Sequence, residues 1–275
     1  MTQEPEIRVG LLTDGVPETA PAHSGHLIGN LLIGCGFHWQ KSIAAIVGGE
    51  LEPLSSPQGK IHIVNRLPLE QYVESVTGSE MNPAAPLEFL KAHAVISRSW
   101  AHRKIKGYGE KTQPPACCSG RGVTEWEESD SHTGFDVCSD DHCQRYQGIH
   151  SGATVAREAT RQTRGLVLAD SSGETADARF SKCCGGYTEL FSSCWSEHDQ
   201  DYLCSRPDPW CDLTDMEESG RAKFLGTILK DFDRDTADFR DWTAFVGKEE
   251  LRKRLKTRYG VDVGDITGLT PLEWG

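Results

Sequence analysis

The chain has 275 residues, of which 37% are hydrophobic, and this is enough apolar material for a substantial core, which argues against a disordered chain. The formal net charge is −12 and the basic residues are scattered, so nucleic acid is a poor partner. No apolar run approaches the roughly 20 residues that cross a bilayer, and no membrane span is expected.

The first 66 residues are predicted to form strands. Apolar residues alternate with polar ones at Ile7, Val9 and Leu11, and short apolar runs follow between turn residues. This alternation is typical of strands that bury one face.

The pattern changes at Pro68, after which apolar residues recur at helical spacing. Proline is suited to the first turn of a helix, and Gly78 is expected to end this first helix. A second helix is predicted behind Pro86 and extends to about Lys104. Glu80 is therefore expected in the elbow between two helices.

The rest of the chain mixes loops, helices and strands. A loop is predicted over residues 106–131, and a short helix follows over residues 153–160. Strands are predicted at residues 165–169 and 177–181, and a helical tail begins at Asp215. Strands first, then a helix pair, then mixed elements favour an α+β fold, with mixed strands around a central helix pair.

A group of cysteines and histidines has the composition of a metal site. His132, Cys138, His142 and Cys143 supply two imidazoles and two thiolates, which is a complete tetrahedral set for zinc. His142 and Cys143 are consecutive, so a tight loop is needed to turn both inward. With four protein ligands the metal has no open position, which indicates a structural role. The alternative is a set of unrelated cysteines and histidines.

The sequence evidence for a function of other cysteines and of two tryptophans is weaker. Cys183 or Cys184 acting as a nucleophile near His150 would make a cysteine peptidase or amidase, but no local signature surrounds either cysteine. Trp195 and Trp210 lie in a loop beside further cysteines. They are interpreted either as loop anchors or as platforms for sugars.

Several segments together carry a family signature. They combine a helix, an acidic elbow and a second helix with the pattern Lys-Ala-x-Ala-Val-x-x-Arg, at residues 69–73, 78–81, 87–101, 135–138, 142–148, 165–168 and 185–189. In this combination the chain resembles the sporulation stage II protein D and amidase-enhancer family (SpoIID/LytB). The resemblance implies three regions: a strand-rich region at 1–66, a SpoIID-like catalytic core at 67–215, and a helical region at 216–275 that ends earlier than is usual in the family.

Two functions are implied by this resemblance. The first is a lytic transglycosylase that cleaves peptidoglycan glycan strands stripped of their peptide stems. The second is a non-catalytic module that binds glycan or a cell-wall amidase and stimulates it. The resemblance also implies a groove lined by a loop-rich region, and a zinc ion at the four residues named above. The family is extracytoplasmic, whereas this sequence shows no signal peptide and leaves the compartment open.

The transglycosylase chemistry needs only one carboxylic acid. The acid protonates the leaving oxygen, the 6-hydroxyl of the muramic acid attacks the anomeric carbon, and the same carboxylate then takes the hydroxyl proton. The resemblance assigns this role to Glu80, whose apolar neighbours and nearby prolines can desolvate it. The alternative is a carboxylate that caps the second helix.

Candidate substrate-binding residues lie on the second helix and beyond it. Lys91, Arg98 and His102 share one stripe of the helix, which is either an exposed cationic face or a groove wall. The resemblance implies that Lys91 and Arg98 hold glycan oxygens or orient Glu80. His102 stands where a tyrosine is usual in the family. Tyr187, behind a diglycine turn, is expected to stack on a sugar.

Overall fold

The computed structural model describes most of the chain, in two compact units. The described residues are 4–55, 61–107, 117–119, 122–124, 132, 134–150, 152–195, 199–210, 215–229, 232 and 243–270. The first unit comprises Met1–Glu110, Ser129–Phe180 and Gly226–Asp235, and the second comprises Lys111–Glu128, Ser181–Leu225 and Thr236–Gly275. The predicted boundaries after residues 66 and 215 stay predictions.

Strands and helices both contribute to the fold, which confirms the predicted α+β class. The strands are β1 (Glu6–Leu11), β2 (Thr19–Ala22), β3 (Gly25–Ile33), β4 (Lys41–Val47), β5 (Glu50–Ser55), β6 (Ile61–Pro68), β7 (Cys117–Ser119), β8 (Gly122–Thr124) and β9 (Val137–Cys138). The helices are α1 (Leu69–Glu80), α2 (Leu87–Ile105), α3 (Thr154–Gln162), α4 (Phe191–Cys194), α5 (Glu218–Leu229) and α6 (Lys248–Tyr259). Within the described ranges, no helix is long and apolar enough to cross a membrane.

Two sheets build the first unit. Strands β5, β6, β1 and β9 form one sheet in this order, in which β1 is antiparallel to β6 and parallel to β9. Strands β2, β3 and β4 form an antiparallel meander. The short strand β9 therefore lies at an edge of the first sheet, directly beside β1.

The core of the first unit lies between these sheets and helix α1. Alternate residues of β1, Ile7, Val9 and Leu11, are almost completely buried, as the alternation in the sequence predicts. They belong to the same apolar cluster as Val73 and Val76 of α1. The C-terminal end of α1 is thus anchored to the sheet by its buried face.

Helix α1 continues past the glycine that was expected to end it. The helix begins behind Pro68 as predicted, but it ends at Glu80, so the predicted end at Gly78 is wrong. A Cβ atom at Gly78 would lie 3.3 Å from the Cβ of Ala153 and 3.4 Å from the Cδ2 of His150. This glycine therefore allows close packing on α1 and does not terminate the helix.

Two predicted strands in the second half of the first unit are wrong. Residues 165–169 and 177–181 form no strand, apart from a single bridge between Ala169 and Thr175. Side chains of α2 form hydrogen bonds with backbone groups that would otherwise pair with a neighbouring strand. The Arg98 Nη1, for example, donates to the Leu166 carbonyl at 3.1 Å. The predicted helix at residues 153–160 is confirmed by α3.

The second unit contains a short hairpin and irregular segments. Strands β7 and β8 pair within the stretch that was predicted to be a loop. Residues 125–130, which hold the acidic run of that loop, lie outside the described residues. The predicted helical tail is present in part, as α5 and α6.

Replacement of Gly49 by alanine is expected to destabilise the first unit by about 3 kcal/mol. Gly49 has φ +71°, and a Cβ atom there would lie 2.3 Å from the Arg66 carbonyl oxygen. Gly15→Ala is the matched control, because Gly15 has φ +77° with nothing within 4 Å, and it should cost only about 1 kcal/mol. Urea unfolding followed by circular dichroism measures both, and equal losses would contradict the steric argument.

Candidate functional site

Three of the four candidate metal ligands lie on β9 and the turn that follows it, and His132 precedes β9 in the chain. Parallel pairing of Gly10 with Cys138 fixes the first cysteine at the sheet edge. The chain then turns over residues 140–143, and the Cys143 N–H donates to the Asp140 carbonyl at 2.9 Å. This turn brings His142 and Cys143 back to Cys138, which confirms the predicted tight loop.

The four donor groups form one cluster. The Sγ of Cys143 lies 3.5 Å from the Nε2 of His132 and 3.5 Å from the Nδ1 of His142. The Sγ of Cys138 lies 3.8 Å from the Nδ1 of His142. The four ligand atoms are all within 4.8 Å of one another, so the cluster can hold one metal ion.

The electrostatics of the cluster favour a thiolate. The Cys143 thiol and the two imidazoles form hydrogen bonds with the Cys138 sulfur and lower the pKa of that thiol, although burial acts in the opposite direction. The backbone N–H of Cys138 in turn donates to the Cys143 sulfur at 3.3 Å. The hydrogen bond with Cys138, together with burial, raises the pKa of the Cys143 thiol, so one of the two sulfurs is favoured as the thiolate form that binds metals.

Asp140 connects this turn to the loop between β3 and β4. Its carboxylate accepts the Gly34 N–H at 2.6 Å and the Cys35 N–H at 2.8 Å, and the side chain is almost fully buried. Burial, followed by the Asp140 carboxylate, raises the pKa of the Cys35 thiol to about 12. Burial and the neighbouring carboxylate therefore keep Cys35 in the neutral thiol form at pH 7.

Glu80 is held by the same turn. The backbone N–H of Arg145 donates to the Oε1 of Glu80 at 2.7 Å, and the Arg145 Nε donates to Asp141 at 2.8 Å. Helix α2 starts behind Pro86, whose side chain supplies no capping hydrogen bond. With Oε1 engaged as an acceptor, a proton on this carboxyl group would sit on Oε2.

The sequence interpretation missed Ser79, which lies beside Glu80, and named His150 only as the partner of a cysteine nucleophile. The Oγ of Ser79 lies 2.8 Å from the Nε2 of His150, and Ser75 donates to the Gly148 carbonyl at 2.7 Å. Burial lowers the pKa of His150, which keeps it neutral at pH 7. The one available sequence signal was the pair Ser75 and Ser79, four residues apart on an otherwise apolar helix face.

Arg98 lies in a buried ion pair. Its guanidinium binds Glu70 of α1 in a bidentate manner, with both N–O distances at 2.8 Å, and the side chain is 1% exposed. This pair ties α2 to α1, and the Arg98 contact with Leu166 ties both to the segment after α3. A contact between Arg98 and a glycan stays a prediction.

The other predicted substrate-binding residues have separate partners. Lys91 pairs with Glu88 on the same helix at 2.6 Å. The Nδ1 of His102 lies 2.9 Å from the Thr175 hydroxyl, and burial lowers the pKa of this histidine. Tyr187, in the second unit, is 56% exposed. Their roles in binding stay predictions.

The cysteine-nucleophile alternative gains no support from the contacts of its residues. The Cys184 thiol donates to Asp208 at 3.4 Å within the second unit. The Nε2 of His150 is engaged with Ser79. Trp195 and Trp210 are 39% and 89% exposed, so Trp210 is not a core residue.

Comparison with known proteins identifies the central part of the chain. Residues 57–169 match the model of the SpoIID family, described as Stage II sporulation protein, and this confirms the resemblance seen in the sequence. The matched stretch contains α1, α2, Glu80 and the four clustered residues that could hold a metal ion.

A curated relative is similar over a comparable length. An uncharacterized protein of Brachyspira hyodysenteriae is 30% identical over 127 residues. The match covers 46% of this chain and 28% of the relative, so the chain spans well under a third of that protein.

Removal of the Arg98 guanidinium is expected to destabilise the protein by about 3–5 kcal/mol, because Arg98→Ala leaves the Glu70 carboxylate buried without its partner. Arg161→Ala is the control, since Arg161 pairs with Glu158 at the surface and should cost less than about 1 kcal/mol. Denaturant unfolding measures both changes. Similar losses for the two variants would contradict a structural role for Arg98.

Proposed function

Because residues 57–169 match the SpoIID family, we propose that the protein is a peptidoglycan lytic transglycosylase. Its substrate would be the glycan strand stripped of peptide stems, cleaved at the link between N-acetylmuramic acid and N-acetylglucosamine. The observation that carries the proposal is the position of Glu80: a carboxylate at the end of α1, held by the Arg145 N–H at 2.7 Å beside the metal cluster.

The proposed reaction uses the two oxygens of Glu80 differently. Oε1 accepts the Arg145 N–H, which fixes the orientation of the carboxyl group. Oε2 gives its proton to the leaving glycosidic oxygen as positive charge develops at the anomeric carbon. The 6-hydroxyl of the muramic acid then attacks that carbon, and its proton passes to Glu80. A new intramolecular ether closes, and the acid is restored without water.

The runner-up is a non-catalytic module that binds glycan or a cell-wall amidase. It would need the same groove but no titrating carboxylate. The enzyme is favoured because the Arg145 N–H fixes the Glu80 carboxylate at the end of α1, within the stretch that matches the family model.

We also propose that the metal in the cluster is zinc. Tetrahedral zinc with ordinary bond lengths places its nitrogen and sulfur ligands about 3.5 Å apart, and its two sulfurs about 3.8 Å apart. The nitrogen–sulfur distances of 3.5 Å and 3.8 Å lie close to this arrangement. Zinc held by four protein ligands would stabilise the turn that holds Glu80 and would have no open position for water.

Replacement of Glu80 by glutamine is expected to lower activity by about 10²- to 10⁴-fold, because an amide cannot give and retake a proton. Peptide-free glycan incubated with the protein should yield fragments with anhydro ends, detected by mass spectrometry, and Glu80→Gln should not release them. Glu74→Gln is the control on the same helix, since Glu74 pairs with Arg157 at the surface. Unchanged glycan with the native protein would contradict the enzyme and favour the binding module.

Metal analysis is expected to find about one zinc ion per chain. Cys138→Ser should lose most of this zinc and unfold at a lower denaturant concentration, because a buried ligand is removed. Cys194→Ser, at an exposed cysteine outside the cluster, should keep both properties. A zinc-free native protein with the same stability would contradict the four-ligand site.

A further inference from the structure

The loop between β3 and β4 carries three consecutive aromatic residues, Phe37, His38 and Trp39. The rings of Phe37 and Trp39 are stacked, with centroids 4.3 Å apart and planes 9° apart. His38 meets the edge of Trp39 at 4.9 Å. Phe37 is 47% exposed, so one face of its ring is covered by Trp39 and the other faces solvent.

This aromatic loop is held in shape by its own hydrogen bonds. The Phe37 N–H donates to the Gly34 carbonyl at 3.0 Å, and the Gly36 N–H donates to the Gln40 side chain at 2.8 Å. Trp39 packs so closely on Gly34 that a Cβ atom there would lie 2.4 Å from the indole ring. Asp140 fixes the start of the loop, as described above. The stacked pair is therefore pre-organised, which lowers the entropic cost of binding a ligand.

Consecutive contacts connect this aromatic pair to Glu80. The Trp39 Nε1 lies 3.4 Å from the Oδ2 of Asp141. The Oδ1 of Asp141 accepts the Arg145 side chain at 2.8 Å, and the Arg145 backbone holds Glu80. The turn that positions the proposed acid therefore also positions the aromatic pair.

We propose that Phe37 and Trp39 form a sugar-binding platform for the glycan strand, outside the position of the cleaved link. This inference rests on the proposed function. A pyranose ring presents C–H groups on its faces, and these pack on the electron-rich face of an aromatic ring. The free face of Phe37 is the surface that such a ring would cover.

The acidic residues beside the platform are both engaged. Asp140 accepts the Gly34 and Cys35 N–H groups, and Asp141 pairs with Arg145 at 2.8 Å. The face of the Phe37 ring offers the lactyl carboxylate of N-acetylmuramic acid no charged partner, whereas the neutral N-acetylglucosamine needs none. N-acetylglucosamine is therefore the occupant that fits the platform.

Binding measurements on the Glu80→Gln protein test this platform, because that background does not consume the ligand. Isothermal titration with peptide-free glycan strands, and separately with a neutral hexamer of N-acetylglucosamine, gives the affinities. Adding Phe37→Ala should weaken both about tenfold through the loss of one stacked ring face. Phe37→Tyr, which keeps a ring, should restore most of the affinity.

The matched control is Phe245→Ala, which removes a phenylalanine that is 96% exposed and should leave binding unchanged. If Phe37→Ala binds as tightly as this control, the platform is overturned and the proposed function stands. If the Glu80→Gln protein binds neither ligand, the platform also falls. The release of anhydro-ended fragments by the native protein then shows whether the proposed function falls with it.

Discussion

The turn over residues 140–143 is the constraint on which the rest of the site depends. Its backbone returns Cys143 to Cys138, its Asp140 carboxylate holds the loop after β3, and its continuation at Arg145 holds Glu80. The same segment reaches the core at Tyr146, whose hydroxyl donates to Asn65 at 2.6 Å. Few of these bonds belong to a helix or a sheet, so the turn relies on specific side chains for its shape.

Such a turn needs a strong local stabiliser. Two thiols and two imidazoles lie within 4.8 Å of one another, and their ligand atoms gain only weak bonds to one another. A metal ion bound there would replace these weak bonds with strong ones, and its binding free energy would become folding free energy of the turn. The position of Glu80 and the order of the aromatic loop would then depend on the same ion, although neither touches it.

Much of the site was predictable because the sequence patterns that indicate it lie within short stretches of the chain. The four cluster residues fall within residues 132–143, and residue chemistry alone identified them. Helices α1 and α2 followed from apolar spacing and prolines, so Glu80 was expected close to where it lies. These features depend on the nearest residues in the chain, which is the information that periodicity and motifs contain.

Contacts between distant segments could not be predicted in this way. Periodicity placed Arg98 on a cationic stripe, but its partner Glu70 lies 28 residues earlier on another helix. The apolar run after α3 was read as a strand, yet its Leu168 N–H donates to the hydroxyl of Ser99 at 2.8 Å. In this segment, side chains of α2 form the hydrogen bonds that the backbone of a neighbouring strand would otherwise form. The pattern of apolar residues does not show which of the two partners the backbone has.

The position of Glu80 on its helix supports the proposed role beyond the family match. The C-terminal end of a helix carries a partial negative charge, which destabilises a carboxylate there. The N-terminal end of α2 carries a partial positive charge, which would stabilise one. Glu80 nevertheless lies at the unfavourable end of α1, where the Arg145 N–H donates to its Oε1. Local rules of stability are broken most often at functional sites. A carboxylate at the unfavourable end of a helix is therefore better explained by a role in the site than by a contribution to helix stability.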